Sequence, residues 1–214
     1  MILACAKATP GEEIGEHFAV IAGRVGQGEL RIAVIDNRDS FVFNLIRYLE
    51  ELGARCTRFE NTIQPESLVE FDGVMISPGP GAPRDAGNSM KIIDWAYQSQ
   101  KPLIGICLGH QAIAESFGGE VKNAKQLIHG ARSSVHHDGA GVFTDIPQDF
   151  QATRYHSLAI TKMPPSLRVT ATSDDGEVMA IMHESAPIIG LQFHPEAVLT
   201  EHGHQLLQNW LDRL

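Results

Sequence analysis

The segment 105–109 reads Gly-Ile-Cys-Leu-Gly and has the residue types that a thiol nucleophile needs. The apolar run at 103–106 enters it as a strand, and a helical pattern leaves it. Such a strand–turn–helix is typical of a nucleophile elbow, because small residues permit the tight turn that exposes the central side chain. The helix N-terminus would stabilise a thiolate at Cys107, and the Leu108 N–H would point toward an oxyanion formed there. Taken alone, the motif fits a buried structural cysteine between packing glycines equally well.

A histidine and a carboxylate end a second apolar run, IIGLQF at 188–193. His194 follows this run directly, and Glu196 stands two residues further on. An imidazole in this position can take the thiol proton, while the carboxylate holds its other nitrogen and stabilises the imidazolium. A lone His-Pro-Glu is more often a loop than a catalytic pair. The strand-end cysteine in the same small chain favours a Cys107–His194–Glu196 triad.

A loop rich in proline and glycine, Ser-Pro-Gly-Pro-Gly at 77–81, follows the apolar run GVMIS at 73–77. Proline stiffens such a loop, and glycine permits positive φ or a close approach of the backbone. A stiff loop that offers N–H groups to a developing negative charge suits acyl transfer. An ordinary tight turn is the alternative interpretation. A phosphate-binding Walker loop is excluded, because no Gly-Lys-Ser/Thr follows.

Strands and helices alternate through the first half of the chain. This pattern predicts an α/β domain with an open, mostly parallel (mixed) sheet and helices on both faces. Ser40 is a candidate cap for the first helix. After about residue 120 the pattern changes to short β runs separated by turn residues. The predicted strands are 31–36, 55–60, 73–77, 103–107, 142–146, 151–156, 167–173, 178–183 and 188–193, and the predicted helices are 40–53, 85–98, one from the elbow through Phe117, and one from about Glu201.

Composition excludes several classes of protein. The chain has 214 residues, of which 43% are hydrophobic, and this length suits one well-buried domain. Its net charge is −9 and no Lys/Arg cluster is present, which argues against nucleic-acid binding. No apolar run approaches the ~20 residues that a membrane helix needs. The three cysteines are widely spaced and odd in number, so they predict neither a disulfide framework nor a CxxC metal site and favour a reducing cytoplasm.

The first 30 residues do not fit the α/β pattern. They mix helical and strand signals, which Gly23, Gly26 and Gly28 interrupt, and they lack the charged start of a signal peptide. We therefore predict an N-terminal extension of uncertain structure over residues 1–30 and one working domain over residues 31–214.

The chain contains five motifs that occur together in one enzyme family: IDNRDSFVFNL at 35–45, SPGPGAP at 77–83, GICLGHQAIAESFGG at 105–119, RYHSL at 154–158 and QFHPE at 192–196. Together they resemble the class I, or triad-type, glutamine amidotransferases, and the similarity runs in register from about Arg31 to the C-terminus. The first two motifs are similar to one branch, the small subunits of anthranilate synthase and of aminodeoxychorismate synthase. The resemblance implies a flavodoxin-like class I amidotransferase fold.

The resemblance also implies roles for individual residues. Cys107 would attack the side-chain amide of L-glutamine to form a glutamyl thioester, with His194 as general base and acid and Glu196 as its orienting group. The ammonia would pass to a larger, chorismate-binding synthase subunit in a heterodimer or heterotetramer. This subunit would use no metal or other cofactor, and Mg²⁺ would be bound by the partner. The oxyanion hole would be the N–H groups of Gly81 and Leu108, and the glutamine would be held by Gly79, Pro80, Gly81, Gln111, Ser157 and Leu158.

Two departures from the family pattern leave the triad intact. Ala131 stands where a lysine is common, and Ala197 stands where a serine commonly follows His-Pro-Glu. Two other functions stay open: a stand-alone cysteine hydrolase of another γ-glutamyl substrate, and a silent regulatory subunit. The choice between the tryptophan and folate pathways stays open as well.

Overall fold

The computed structural model describes residues 29–124 and 130–214. The predicted extension over residues 1–30 lies outside these ranges, except for Glu29 and Leu30, and stays a prediction. The strands are β1 (Arg31–Asp36), β2 (Arg55–Glu60), β3 (Gly73–Ile76), β4 (Leu103–Ile106), β5 (Glu120–Asn123), β6 (Ala131–His137), β7 (Phe150–Arg154), β8 (Leu158–Lys162), β9 (Leu167–Ser173), β10 (Val178–His183) and β11 (Ile188–Leu191), and the helices are α1 (Val42–Glu51), α2 (Ser89–Ser99), α3 (Leu108–Ser116) and α4 (Gly203–Leu211).

Within the described residues, nine strands form one mixed sheet in the order β2-β1-β3-β4-β11-β10-β9-β6-β7. The strands from β2 to β11 in this order are parallel, and those from β11 to β7 pair antiparallel. A separate antiparallel pair is formed by β5 and β8. The parallel half has the strand order of flavodoxin-like folds. The predicted α/β class with a mixed sheet is confirmed.

The side chains of β1 alternate between two apolar cores, one on each face of the sheet. Ile32 and Val34 pack with α1 and α4, whereas Ala33 and Ile35 pack with α2 and α3. All four side chains are fully buried, as the two-residue period of a strand covered on both faces requires. Burial of this kind contributes about 1.5–3 kcal/mol for each large aliphatic side chain. The sheet is thereby fixed as a rigid support with helices on both sides.

The second half of the chain differs from the prediction in four places. The strand predicted at 142–146 is wrong: a 3-10 turn at Gly141–Phe143 occupies this place, because Val142 and Phe143 are both buried instead of alternating. Asp145 then has φ +59°, which interrupts any extended run. Strands β5, β6 and β8 are additional to the predicted ones. Polar residues such as those of β6, ARSSVHH, conceal the two-residue period.

Helices α1, α2 and α4 begin later than predicted, and Ser40 does not cap the first of them. Helix α1 begins at Val42, with Phe41 as N-cap and no side-chain cap. Asp39 Oδ1 instead accepts the Phe41 N–H at 2.7 Å, in a local turn that fixes the direction of Phe41. No helix in the described ranges is long and apolar enough to cross a membrane.

Two glycines allow β3, β4 and α3 to approach one another closely. A Cβ atom at Gly105 would lie 2.5 Å from the backbone of Gly109, and one at Gly109 would lie 2.5 Å from the carbonyl oxygen of Ile76. Side chains do not fit at such distances, because protein interiors are already close-packed. Helix α3 therefore starts directly against the sheet and holds residue 107 at the carboxyl edge of the parallel strands.

We expect Gly105→Ala to lower the free energy of unfolding by about 3 kcal/mol, because the new methyl group meets rigid backbone. Urea denaturation followed by circular dichroism measures this loss. The control is Gly118→Ala, at a position with φ +88° and open space around it. That variant introduces backbone strain without a clash and should lose about 1 kcal/mol. Equal losses in the two variants would contradict the close approach at the elbow.

Candidate active site

Cys107 lies between β4 and α3 in a backbone conformation that few non-glycine residues adopt, with φ +52° and ψ −99°. Such a conformation costs about 1–3 kcal/mol and persists only where its surroundings hold it. Here the Cys107 N–H donates to the Leu191 carbonyl at 2.8 Å, and the Cys107 carbonyl accepts the Gln111 N–H at 3.1 Å. The N-terminus of α3 places a partial positive charge beside the sulfur, which favours a thiolate. The strand–turn–helix expected from the sequence is present at Cys107, and the role of Cys107 as a nucleophile stays a prediction.

His194 follows β11 and is bound to Glu196. Its Nδ1 lies 2.6 Å from Glu196 Oε1, and the two side chains are only 3% and 0% exposed. A carboxylate on Nδ1 fixes the imidazole tautomer and leaves Nε2 for chemistry. Within the described residues, Nε2 has no hydrogen-bond partner of normal geometry. This nitrogen is therefore free to exchange a proton with a thiol or a substrate.

The surroundings of His194 favour its protonated form. Burial by itself lowers the pKa of His194, but the interactions with the Cys107 thiol and the Glu196 carboxylate outweigh burial and raise the pKa well above its usual value. A protonated imidazole stabilises a neighbouring thiolate by charge. The three side chains can therefore act as a nucleophile, a proton donor and an orienting carboxylate.

Contacts from three other segments hold His194 in one orientation. The rings of Phe41 and Tyr155 lie edge-on to the imidazole, with centroids at 5.7 and 5.2 Å, and stack on each other at 5.4 Å. The backbone N–H of His194 donates to the Thr153 carbonyl at 3.2 Å, and Thr200 Oγ1 donates to the backbone carbonyl of His194 at 2.7 Å. A catalytic ring needs this kind of support, because small displacements cost much of the rate.

Asn37 fixes the proline- and glycine-rich loop at the same edge of the sheet. Its backbone N–H donates to Ser77 Oγ at 2.9 Å, and its side-chain amide donates to the Ser77 carbonyl at 3.1 Å. Asn37 Oδ1 in turn accepts hydrogen bonds from Asn61 Nδ2 and Ser89 Oγ, at 3.1 and 3.0 Å. These buried bonds explain why an asparagine follows β1 directly.

The loop packs directly on the elbow. A Cβ atom at Gly79 would lie 2.8 Å from the Leu108 side chain, so Gly79 and Leu108 are in contact. Gly81 has φ +82°, which glycine adopts without strain. Pro80, Gly81 and Ser157 are exposed. The structure thus brings the predicted oxyanion and substrate loops to one edge, and the roles predicted for their residues stay predictions.

Gln111 connects two of the predicted substrate-binding segments. Its Nε2 donates to the Leu158 carbonyl at 2.9 Å and to Gln192 Oε1 at 3.1 Å. Gln192 Nε2 then lies 3.7 Å from Cys107 Sγ. Gln192 is fully buried and has no role in the sequence interpretation, although it belongs to the QFHPE motif. A polar residue in an otherwise apolar strand run is the signal that marks it.

A buried ion pair supports the same segment from the other side. Arg154 binds Glu177 through Nη2, and its Nε donates to His156 Nε2 at 3.1 Å. His156 Nδ1 lies 2.8 Å from the Leu158 carbonyl. Burial, followed by the charge of Arg154, lowers the pKa of His156 to about 4, so the ring is neutral. The RYHSL motif therefore positions the backbone at Leu158.

An open groove of about 470 Å³ adjoins this edge. Leu158 is the one predicted site residue in its lining, and Cys107 and His194 are not part of it. Across residues 29–124 and 130–214, no group of three or more His, Cys, Asp or Glu side chains is arranged to hold a metal ion. The groove is lined by Ala82, Pro83, Arg84, Glu115, Val121, Lys122, Asn123 and Leu158.

The chain is similar to several known proteins. A protein of Mycobacterium tuberculosis named anthranilate synthase component 2 is 49% identical over 189 residues, which cover 85% of this chain and 82% of that protein. Aminodeoxychorismate synthase of Streptomyces griseus is 41% identical over 187 residues, which cover 86% of this chain and 26% of that protein. The crystal structure of a Thermoplasma acidophilum protein, provisionally assigned as a component of GMP synthase, superposes with a TM-score of 0.79 at 30% identity and covers 87% of this chain and 94% of that one.

The family match covers nearly all of the described chain. The family described as glutamine amidotransferase class-I matches residues 33–214. This range contains the elbow, the His194–Glu196 pair and the loop at 77–81. The chain belongs to the class I glutamine amidotransferase family, as its motifs implied.

Proposed function

We propose that this chain is the glutaminase subunit of a chorismate-aminating synthase, either anthranilate synthase or aminodeoxychorismate synthase. The observation that carries the proposal is a strained cysteine at a helix N-terminus beside an imidazole whose Nδ1 lies 2.6 Å from a buried carboxylate. The names of the two relatives support a larger synthase partner. The chain would hydrolyse L-glutamine to glutamate and ammonia and supply the ammonia to that partner.

The first half of the proposed reaction forms a thioester. Cys107 Sγ attacks the side-chain amide carbon of glutamine, and the N–H groups of Gly81 and Leu108 stabilise the oxyanion. Protonated His194 donates its Nε2 proton to the leaving nitrogen, the C–N bond breaks, and ammonia departs. Glu196 holds the ring through Nδ1 during both changes of charge.

The second half returns the enzyme to its starting state. A water molecule attacks the thioester carbonyl and gives a proton to His194, and the C–S bond breaks to release glutamate. The net change is glutamine plus water to glutamate plus ammonia. Because side chains perform every proton transfer, we propose that this chain needs no cofactor and that Mg²⁺ belongs to the synthase partner.

The proposed glutamine site lies between the loop at 77–81 and the backbone at Ser157 and Leu158. Both Nε2 hydrogens of Gln111 are already directed to Leu158 and Gln192. Gln111 would therefore act on the substrate through its Oε1 and by holding the Leu158 carbonyl in place. The loop residues Gly79, Pro80 and Gly81 would complete the site from the other side.

Two exposed apolar side chains follow Glu196 along the chain and suggest where the synthase partner docks. Val198 is 92% exposed and Leu199 is 51% exposed, two and three residues after Glu196. Exposed apolar side chains of this kind are typical of interaction sites. A partner that covers Val198 and Leu199 would lie close in the chain to the proposed triad and could receive the ammonia formed there. In the S. griseus relative the matching segment is 26% of a longer chain, so there the domain is covalently joined to further sequence.

The decisive assay measures glutamate release by the purified chain, alone and with candidate synthase subunits plus chorismate. We expect the partner to stimulate release, and the aminated product to identify the pathway. We expect Cys107→Ser to lower glutamine-dependent synthesis at least about a thousandfold, because the nucleophile is lost. The same complex should retain synthesis from free ammonia, which serves as the internal control. Retained glutamine use by Cys107→Ser would refute the assigned nucleophile. Release without stimulation by any synthase would favour a stand-alone hydrolase.

We expect Glu196→Gln to lower the turnover number less than the loss of Cys107 does, because the carboxylate orients and charges the ring without bonding to substrate. The Glu196 carboxylate raises the pKa of His194, and departure of ammonia requires the protonated ring. Loss of the carboxylate therefore lowers that pKa and moves the alkaline limb of the pH–rate profile to lower pH. A matched control is Glu51→Gln, in the exposed His204–Glu51 pair at 2.8 Å, which should leave the profile unchanged. An unshifted alkaline limb in Glu196→Gln would rule out this role.

We expect Val198→Asp to weaken association with the synthase partner at least tenfold, or about 1.4 kcal/mol, because a charge replaces an apolar contact. Titration calorimetry measures the dissociation constant. The control is Val69→Asp, at a valine that is 66% exposed on the opposite edge of the sheet, near the start of β3 and β4. Equal affinity of both variants for the partner would place the docking surface elsewhere.

A further inference from the structure

Gln192 is a fully buried polar side chain in contact with the sulfur of Cys107. Its Nε2 lies 3.7 Å from Cys107 Sγ, within the range of hydrogen bonds to sulfur. The elbow mechanism requires no such residue. Glutamine amides present an oxygen and a nitrogen of similar size, so the partners decide which of the two faces the sulfur.

A chain of hydrogen bonds dictates the orientation of the Gln192 amide. It starts at the carbonyl oxygen of Leu158, which can only accept, so Gln111 must present its nitrogen there. The second hydrogen of the same nitrogen is directed to Gln192, which must therefore present its oxygen to Gln111. The Gln192 nitrogen is left facing Cys107. Because the Leu158 carbonyl can only accept, the orientations of both glutamine amides are fixed and a donor faces Cys107.

The starting point of this chain is itself fixed. Arg154 can only donate, so the bond from its Nε makes His156 Nε2 an acceptor. A neutral His156 then carries its proton on Nδ1 and donates it to the Leu158 carbonyl at 2.8 Å. Both lone pairs of that carbonyl oxygen are engaged, by His156 and by Gln111. The Leu158 peptide cannot turn without breaking both bonds.

We propose that Gln192 is a further catalytic residue, which donates an N–H to Cys107 Sγ and stabilises the thiolate with an amide whose direction Leu158 and Gln111 determine. A donor to the charged form of a group favours that form over the neutral one. Gln192 is fully buried, so water does not replace the bond when it is lost. The proposal rests on the proposed function only in that Cys107 is the nucleophile.

The test is the pH dependence of Cys107 alkylation by iodoacetamide in the purified full chain, measured by mass spectrometry of the Cys107 peptide. It needs neither glutamine nor a synthase partner. We expect Gln192→Met, which keeps the size and removes the donor, to raise the midpoint of the profile by about one pH unit, the shift typical of one lost bond to a charged group. Near neutral pH the alkylation rate should fall about tenfold. Gln192→Glu keeps the shape and the acceptor for Gln111 but turns an oxygen toward the sulfur, so its midpoint should rise at least as far.

Two controls separate a general change in the protein from this effect. Gln205→Met alters an exposed glutamine on α4 and should leave the midpoint unchanged. Cys56 serves as a second thiol in the same digest, because burial, followed by the charge of Glu50, raises its pKa to about 12. Thermal denaturation confirms that each variant is folded. If both Gln192 variants fail to fold, Gln111→Met serves as the test. Without Gln111 the Gln192 amide can rotate, so the midpoint should also rise, by a smaller amount.

A folded Gln192→Met protein with the wild-type alkylation profile would overturn the proposal. If neither Gln192 variant folds, a wild-type profile in Gln111→Met would overturn it. Failure of the proposed function has a different signature: in the wild-type protein Cys107 would then be alkylated no faster than Cys56.

Discussion

The strained backbone at Cys107 is the constraint on which the rest of the site depends. A residue with φ +52° and ψ −99° would relax to an ordinary conformation if its neighbours allowed it. Gly105 and Gly109 let β3, β4 and α3 close around it, and the Leu191 carbonyl accepts its N–H. These contacts come from separate segments, so only the assembled sheet keeps the thiol at the edge. The free energy of folding of the sheet thereby offsets the backbone strain at Cys107.

The second constraint is the burial of charge beside that thiol. Taking an ion out of water costs several kcal/mol, and a single partner rarely offsets this cost. His194 and Glu196 have one short bond between them, and the described residues offer no further hydrogen-bond partner of normal geometry to His194 Nε2 or Glu196 Oε2. Polar atoms left in this state are typical of sites selected for function at the expense of stability. Among the described residues, the ring has a hydrogen bond of normal geometry only at Nδ1, and the contacts with Phe41 and Tyr155 hold the rest of the ring in place.

The parts of this protein that its sequence predicts are those encoded locally. His194 and Glu196 are two residues apart, and Cys107 stands within its own glycine pair, so each is recognisable from neighbouring residues. The parallel half of the sheet is predictable because strands and helices alternate, whereas β6 and β8 carry polar residues that conceal their period. The role of Gln192 is not predictable from local sequence, because its partner Gln111 lies 81 residues away. Only the folded chain shows that these two amides meet.

Strand register joins the local motifs into one site. Strands β4 and β11 pair in parallel with Gly105 opposite Gly190 and Ile106 opposite Leu191. One residue beyond this register, Cys107 comes beside Gln192. A Cβ atom at Gly190 would lie 2.8 Å from His110 Nδ1, so glycine at this position lets α3 pack over β11.

Strand β11 is also where the parallel half of the sheet meets the antiparallel half, through its pairing with β10. A slip of one residue along β11 would turn every side chain to the opposite face and bring an apolar residue, Leu191 or Phe193, against the sulfur. The close packing of α3 on Gly190 opposes such a slip, because a larger residue in that place would meet His110. The packing of glycine and apolar residues therefore determines that Gln192 is the polar side chain beside Cys107, and residues without reactive groups arrange the site.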